Sequence, residues 1–132
     1  MVAATTHATD PIVRRDWLSP GAHVNSVGLN PAGREVDEQT VADALLVVES
    51  RDSALAPPPA GAPELAGVSP AGVHAELGEL VAGIKPGRSS RDEITLYKSV
   101  GVAVQDVAAA ALVLAAAQGR SVGRAIELEE LT

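Results

Sequence analysis

The chain has 132 residues, 17 Asp and Glu against 10 Lys and Arg, a net charge of −7 and no cysteine. That composition excludes disulfide staples, thiolate metal sites and a cysteine nucleophile, and the scattered cations form no basic stripe for a nucleic-acid backbone. Aromatic residues make up only 2% of the sequence, so a core must be built from Ala, Val, Leu and Ile within one modest domain.

Val2 to Thr6 reads as a short buried strand, and Asp10-Pro11 as a turn into a short helix over Ile12 to Trp17. Pro20-Gly21 breaks the chain before a second strand from His23 to Gly28. A helix follows from Glu38 to Ala44, then a strand from Leu45 to Glu49 whose continuous apolar character suits a doubly covered parallel position. Arg51 to Pro70 contains APPPAGAP and reads as a surface loop, with a helical turn at Asp52 to Leu55. Ala75 to Ala82 repeats apolar residues at helical spacing until KPGR ends it. Glu93 to Lys98 alternates polar and apolar residues as a strand does, and Val102 to Gln118 is apolar around nearly its whole circumference, as a buried helix is. Its apolar run is far shorter than the roughly 20 residues that span a bilayer. No signal-peptide pattern is visible, so a cytoplasmic location is expected. The terminal ELEELT reads as a solvated acidic patch.

Four strands with intervening helices predict an α/β fold: half of a doubly wound, Rossmann-like parallel sheet with a long C-terminal apolar helix. Residues 1–100 would form the sheet portion and 101–132 the helix and acidic tail.

The turn at Ser99-Val100-Gly101 joins a strand's carboxyl end to a helix. It offers a hydroxyl and unpaired N–H groups to a polar or anionic ligand, although Ser99 capping the helix explains the same residues. GLNPAGRE, from Gly28 to Glu35, has the glycine spacing of a phosphate-binding loop. Arg34 and Glu35 stand where Lys and Ser/Thr would hold phosphate and magnesium, so that motif is rejected. His74, Glu76 and Glu79 do not share one helical face, so capping or solvent-facing roles are expected and no metal site. His7 and His23 are isolated, and no Ser-His-Asp set emerges.

Four ordered blocks carry a resemblance: AATTHATDPIV from Ala3, GAHVNSVGLNPAGREVD from Gly21, HAELGELVAGIKPGR from His74, and EITLYKSVGVAVQDVAAAALVLAAAQG from Glu93. Together they resemble the C-terminal, NAD(P)-binding portion of the ornithine cyclodeaminase and mu-crystallin family across nearly the whole chain. The resemblance implies that residues 1–100 are the second half of an NAD(P)-binding domain, with NAD or NADP as cofactor. Thr5 and Thr6 match a threonine pair at the cofactor's edge, Val27 and Leu29 match backbone contacts to the nicotinamide, and Ser99 matches a hydroxyl that touches it. Arg34 matches a basic residue near the substrate. Asn30 stands at the Asp that serves cyclodeaminases as proton carrier, and an amide cannot exchange a proton as a carboxylate does.

Two readings follow from the resemblance. In the first, the chain is part of a cyclodeaminase-like enzyme that moves hydride at the α-carbon of a small amino acid or cyclic imine, with a ketimine reductase or amino-acid dehydrogenase as the related alternative. In the second, it is a non-catalytic, truncated nucleotide-fold module. The family's N-terminal substrate domain and Gly-rich fingerprint have no counterpart here, so the isolated chain is expected to be incomplete and inactive. A homodimer is expected of the complete enzyme, or self-association of this chain through residues 102–118.

Overall fold

In the computed structural model, residues 1–126 are described, and the acidic ELEELT stretch lies outside them. Five strands, β1 (Val2–Ala4), β2 (His23–Ser26), β3 (Leu45–Val48), β4 (Ala75–Glu76) and β5 (Thr95–Lys98), form one sheet in the order β1-β2-β5-β3-β4. Every pairing is parallel. The last strand is thus inserted at the centre, and chain segments far apart in sequence meet along it.

Four α-helices occur among the described residues: α1 (Glu38–Asp43), α2 (Arg51–Ala54), α3 (Leu77–Val81) and α4 (Ala103–Gly119). Asp37 starts α1 by accepting a hydrogen bond from the Thr40 N–H, and Ser50 starts α2 by accepting one from Ser53. Glu76 and Glu79 start α3 as a reciprocal capping box. Arg51 also pairs with Glu79 at 3.0 Å, so this acidic pair has a structural role.

Strand alternation sends Ala4, Val24, Leu46, Val48 and Leu96 into one core, where Val13, Val36, Val41, Leu65, Val73 and Ile94 pack with them. The alternate positions His23, Asn25, Leu45, Val47, Thr95 and Tyr97 instead border an open groove of about 430 Å³, together with Leu77 and Leu80 of α3. The double cover expected of β3 is therefore incomplete.

The structure departs from the sequence reading at several elements. The strand read as buried over Val2 to Thr6 covers only Val2–Ala4, with Val2 and Ala3 exposed. Ile12 to Trp17 is not a helix: only Arg15–Trp17 makes a single 3-10 turn, while Val13 forms a parallel bridge to Val36. The helix expected from Ala75 begins two residues later, because Ala75 and Glu76 pair with Val47 and Val48 as a fifth strand. The Pro-rich segment is not merely a surface loop, since Ala54, Ala62 and Leu65 belong to the core and Pro63–Leu65 forms a 3-10 turn.

Met1–Gly101 forms one compact unit, and the described residues from Val102 onward form a second. Helix α4 spans 17 residues, and none of them is buried, whereas its composition suggested a buried helix. No helix among the described residues is long and apolar enough to cross a membrane.

Candidate functional site at the carboxyl edge of the sheet

Parallel register turns scattered residues into one row. Ala4, Ser26, Lys98 and Val48 are mutual neighbours on β1, β2, β5 and β3, so Thr5, Val27, Ser99 and Glu49 all leave the sheet at the same edge. In a parallel α/β sheet this carboxyl edge is where ligands sit. The structure therefore brings Thr5, Thr6, Val27, Leu29 and Ser99 to one side of the sheet, with Thr5, Thr6 and Val27 exposed and Leu29 half-buried.

A buried charge cluster underlies these loops. The Glu35 carboxylate accepts from the Thr6 N–H, from Thr6 Oγ1 at 2.8 Å, from Ser26 Oγ at 2.7 Å and from the Gly28 N–H at 2.9 Å. Lys98 Nζ, fully buried, donates to the Gly28 carbonyl at 2.6 Å and to Ser26 Oγ at 3.2 Å. It also lies 3.2 Å from Glu64 Oε1 and 4.0 Å from Glu35 Oε2. Glu64 in turn accepts the Glu35 backbone N–H at 2.8 Å. One ion cluster thereby ties together the carboxyl ends of β1, β2 and β5. Both polar groups of the Gly28 backbone are held, its N–H by Glu35 and its C=O by Lys98. A Cβ at residue 28 would lie 2.1 Å from the Thr6 carbonyl and 2.3 Å from Glu35 Oε1, so only glycine fits. Burial by itself would raise the Glu35 pKa, but the hydrogen bonds from Ser26, Thr6 and Gly28 outweigh it and hold the carboxyl below its ordinary 4.5.

The Ser99 turn differs from the expectation of unpaired N–H groups. Glu49 Oε1 accepts from Ser99 Oγ at 2.9 Å, from the Val100 N–H at 2.7 Å and from the Gly101 N–H. The chain's own carboxylate has taken the place of an anionic ligand. Gly101 has φ +79°, a left-handed conformation suited to glycine. Ser99 does not cap α4 either, because the cap position is Val102 and no side chain caps it.

Asn30 Nδ2 donates to the His7 and Ala8 carbonyls at 3.2 Å each, and its Oδ1 accepts the Ala32 N–H at 3.0 Å. Both of its donor hydrogens are committed to bracing the loop, and one acceptor lone pair remains. His7 Nδ1 lies 2.9 Å from the Leu29 carbonyl and braces the same loop from the other side. Arg34 does not join this group. It pairs with Glu38 at 2.9 Å and lines a separate cavity of about 390 Å³ with Val41, Leu46 and Glu64.

Sequence reasoning missed Glu35, Glu49, Glu64 and Lys98. One signal was present: Lys98 sits two residues after Leu96, in the buried phase of its strand, and a buried ammonium requires acidic partners. Nothing local pointed to Glu64, which lies in the Pro-rich segment.

A parallel sheet whose carboxyl edge gathers exposed threonines, a tightly held glycine peptide and a Ser-x-Gly turn defines a Rossmann-like α/β domain. The profile of the Ornithine cyclodeaminase/mu-crystallin family matches residues 1–121, and the chain belongs to that family. Ketimine reductase mu-crystallin of Macropus fuliginosus is 42% identical over 114 residues, which cover 86% of this chain and 34% of that protein. The structure of Thermococcus litoralis Delta(1)-pyrroline-2-carboxylate reductase, in complex with NADH and L-proline, superposes with a TM-score of 0.82 at 34% identity, covering 95% of this chain and 40% of that one. An archaeal alanine dehydrogenase dimer with bound NAD gives a TM-score of 0.81 at 33% identity, covering 96% of this chain and 41% of that one. The chain thus spans less than half the length of these relatives.

Proposed function

We propose that this chain forms the nicotinamide-facing wall of an NAD(P)-dependent oxidoreductase whose substrate is a small amino acid or cyclic imino acid. The observation that carries the reading is the convergence of Thr5, Thr6, Val27, Leu29 and Ser99 on one carboxyl edge. Bound there, NAD(P) would exchange a hydride with the substrate's α-carbon. The chain's own groups suit this. Because the Ser99 hydroxyl donates to Glu49 and accepts the Gly101 N–H at 3.2 Å, one acceptor lone pair is left to match an N–H of a carboxamide. The braced Gly28 peptide holds the flanking Val27 and Leu29 backbone at a set orientation.

Reduction of a cyclic ketimine is favoured over cyclodeamination. Asn30 offers an acceptor that can orient a substrate amine, but its amide cannot act as a general acid or base at neutral pH as a carboxylate does. Reductases among the relatives support the same choice.

A chimera tests this reading, with residues 1–121 of this chain replacing the matching portion of the Thermococcus litoralis enzyme. Reduction of Delta(1)-pyrroline-2-carboxylate by NADH or NADPH is expected, with no conversion of ornithine to proline. Turnover of ornithine at an enzyme-like rate of roughly 1 to 1,000 per second, without imine reduction, would reverse the assignment.

A further inference from the structure

Glu49 sits immediately beyond β3 and one hydrogen bond from the hydroxyl that the proposed function places against the nicotinamide. Its Oε1 is surrounded by three donors from the Ser99–Gly101 turn. Its Oε2 is buried and has no hydrogen-bond partner. No cationic side chain among the described residues pairs with it. A carboxylate held in this way is not neutralised by any side chain among the described residues. Behind the same edge, Lys98 is the one base set against Glu35 and Glu64, so acidic groups dominate there too. Phosphates and other anions are therefore disfavoured at the turn, although its N–H groups and glycine resemble an anion site.

A nicotinamide ring is neutral when reduced and cationic when oxidised, so a fixed carboxylate close to it weights the two forms differently. Resting on the reading that Ser99 faces the nicotinamide, we propose that Glu49 is a positioning residue that makes this turn selective for the oxidised, cationic nicotinamide. Glu49 does so in two ways. It accepts the Ser99 O–H, so that the hydroxyl, which also receives the Gly101 N–H at 3.2 Å, keeps one lone pair for the carboxamide, and it supplies the negative charge one bond behind. The direction of the effect suits a reductase, because the carboxylate stabilises positive charge that appears as hydride is given up.

The test uses the 132-residue chain and amide NMR titrations with two probes that share the carboxamide, the cation 1-methylnicotinamide and neutral nicotinamide. Shifts are read at Val27, Leu29, Ser99 and Gly101. The cation is expected to bind about three- to tenfold more tightly than the neutral probe. Glu49→Gln should bring that ratio close to one, Glu49→Asp should keep most of it, and Ser99→Ala should weaken both probes while leaving the ratio in place. Equal affinity for the two probes in the unsubstituted chain, or an undiminished preference in Glu49→Gln, would overturn the role of Glu49 while leaving the nicotinamide site intact. Should Glu49→Gln fail to fold, the ratio in the unsubstituted chain and in Glu49→Asp still decides. Absence of shifts at these amides with either probe would remove both this inference and the proposed nicotinamide wall.

Discussion

Lys98 and Glu35 are the residues on which the edge depends, and each has a measurable signature. Lys98→Met leaves Glu64 and Glu35 buried without their cation, which should cost about 3 to 5 kcal/mol in urea unfolding. A loss below about 1 kcal/mol would show that water, and not Lys98, compensates the two acids. Glu35 predicts the acid limb of stability. Its folded pKa lies below its ordinary 4.5, so the unfolded chain binds the proton more readily and stability is fully present above that pH. Stability should fall as pH drops from about 4.5 through the lower folded value, and Glu35→Gln should flatten that slope. An unchanged acid limb in the variant would contradict the geometry. Among the residues matched by resemblance, Thr6 is drawn into this cluster through its hydroxyl, a bond between positions 29 apart that no local pattern encodes.

At the scale of elements, α1 is only six residues long, so its start matters more than its propensity. Asp37 accepts from the Thr40 N–H at 2.9 Å and from the Arg15 N–H at 3.2 Å, joining the helix start to the segment before β2. Asp37→Ala should destabilise the chain by about 1 to 2 kcal/mol in thermal or urea unfolding, and a neutral result would mean water replaces both bonds. The elements with a period of their own were legible. Val24 and Leu96 alternate with half-buried neighbours as strands do, β3 is a continuous apolar run, and the 17 residues of α4 lie within one residue of the range read from sequence. Two residues have no period, which is why β4 was read as the first turn of α3. The Pro-rich segment was misread for another reason: proline spacing reports the lack of a long helix, but not that Ala62, Glu64 and Leu65 are buried.

For the whole molecule, the apolar α4 and the share of the relatives' length set the expectations. Val104 is 69% exposed and Leu112 73%, an apolar surface of the kind that finds a partner. Sedimentation at tens of micromolar should show self-association that Leu112→Glu weakens. A well-folded monomer unaffected by that substitution would count against α4 as the contact. The sequence has no G-x-G-x-x-G turn, and such a turn normally anchors the pyrophosphate of a dinucleotide. Calorimetry should accordingly find NADH binding to the isolated chain weaker than micromolar, if it is measurable at all. A micromolar dissociation constant would mean that the carboxyl edge suffices by itself.

The amino-acid order alone was enough for the class of fold and the family, because alternation in β2 and β5, the Ser-x-Gly turn and four ordered blocks are local features that survive without three-dimensional context. The resemblance matched Thr5, Thr6, Val27, Leu29 and Ser99 to cofactor contacts, and the parallel register brings these residues to one edge of the sheet. Which groups stand behind that edge was settled by strand order, since inserting β5 between β2 and β3 puts Lys98 beside Ser26 and Ser99 beside Glu49 across separations of 72 and 50 residues. A buried charge takes its meaning from its partners, and those partners come from distant strands and loops brought together by parallel pairing.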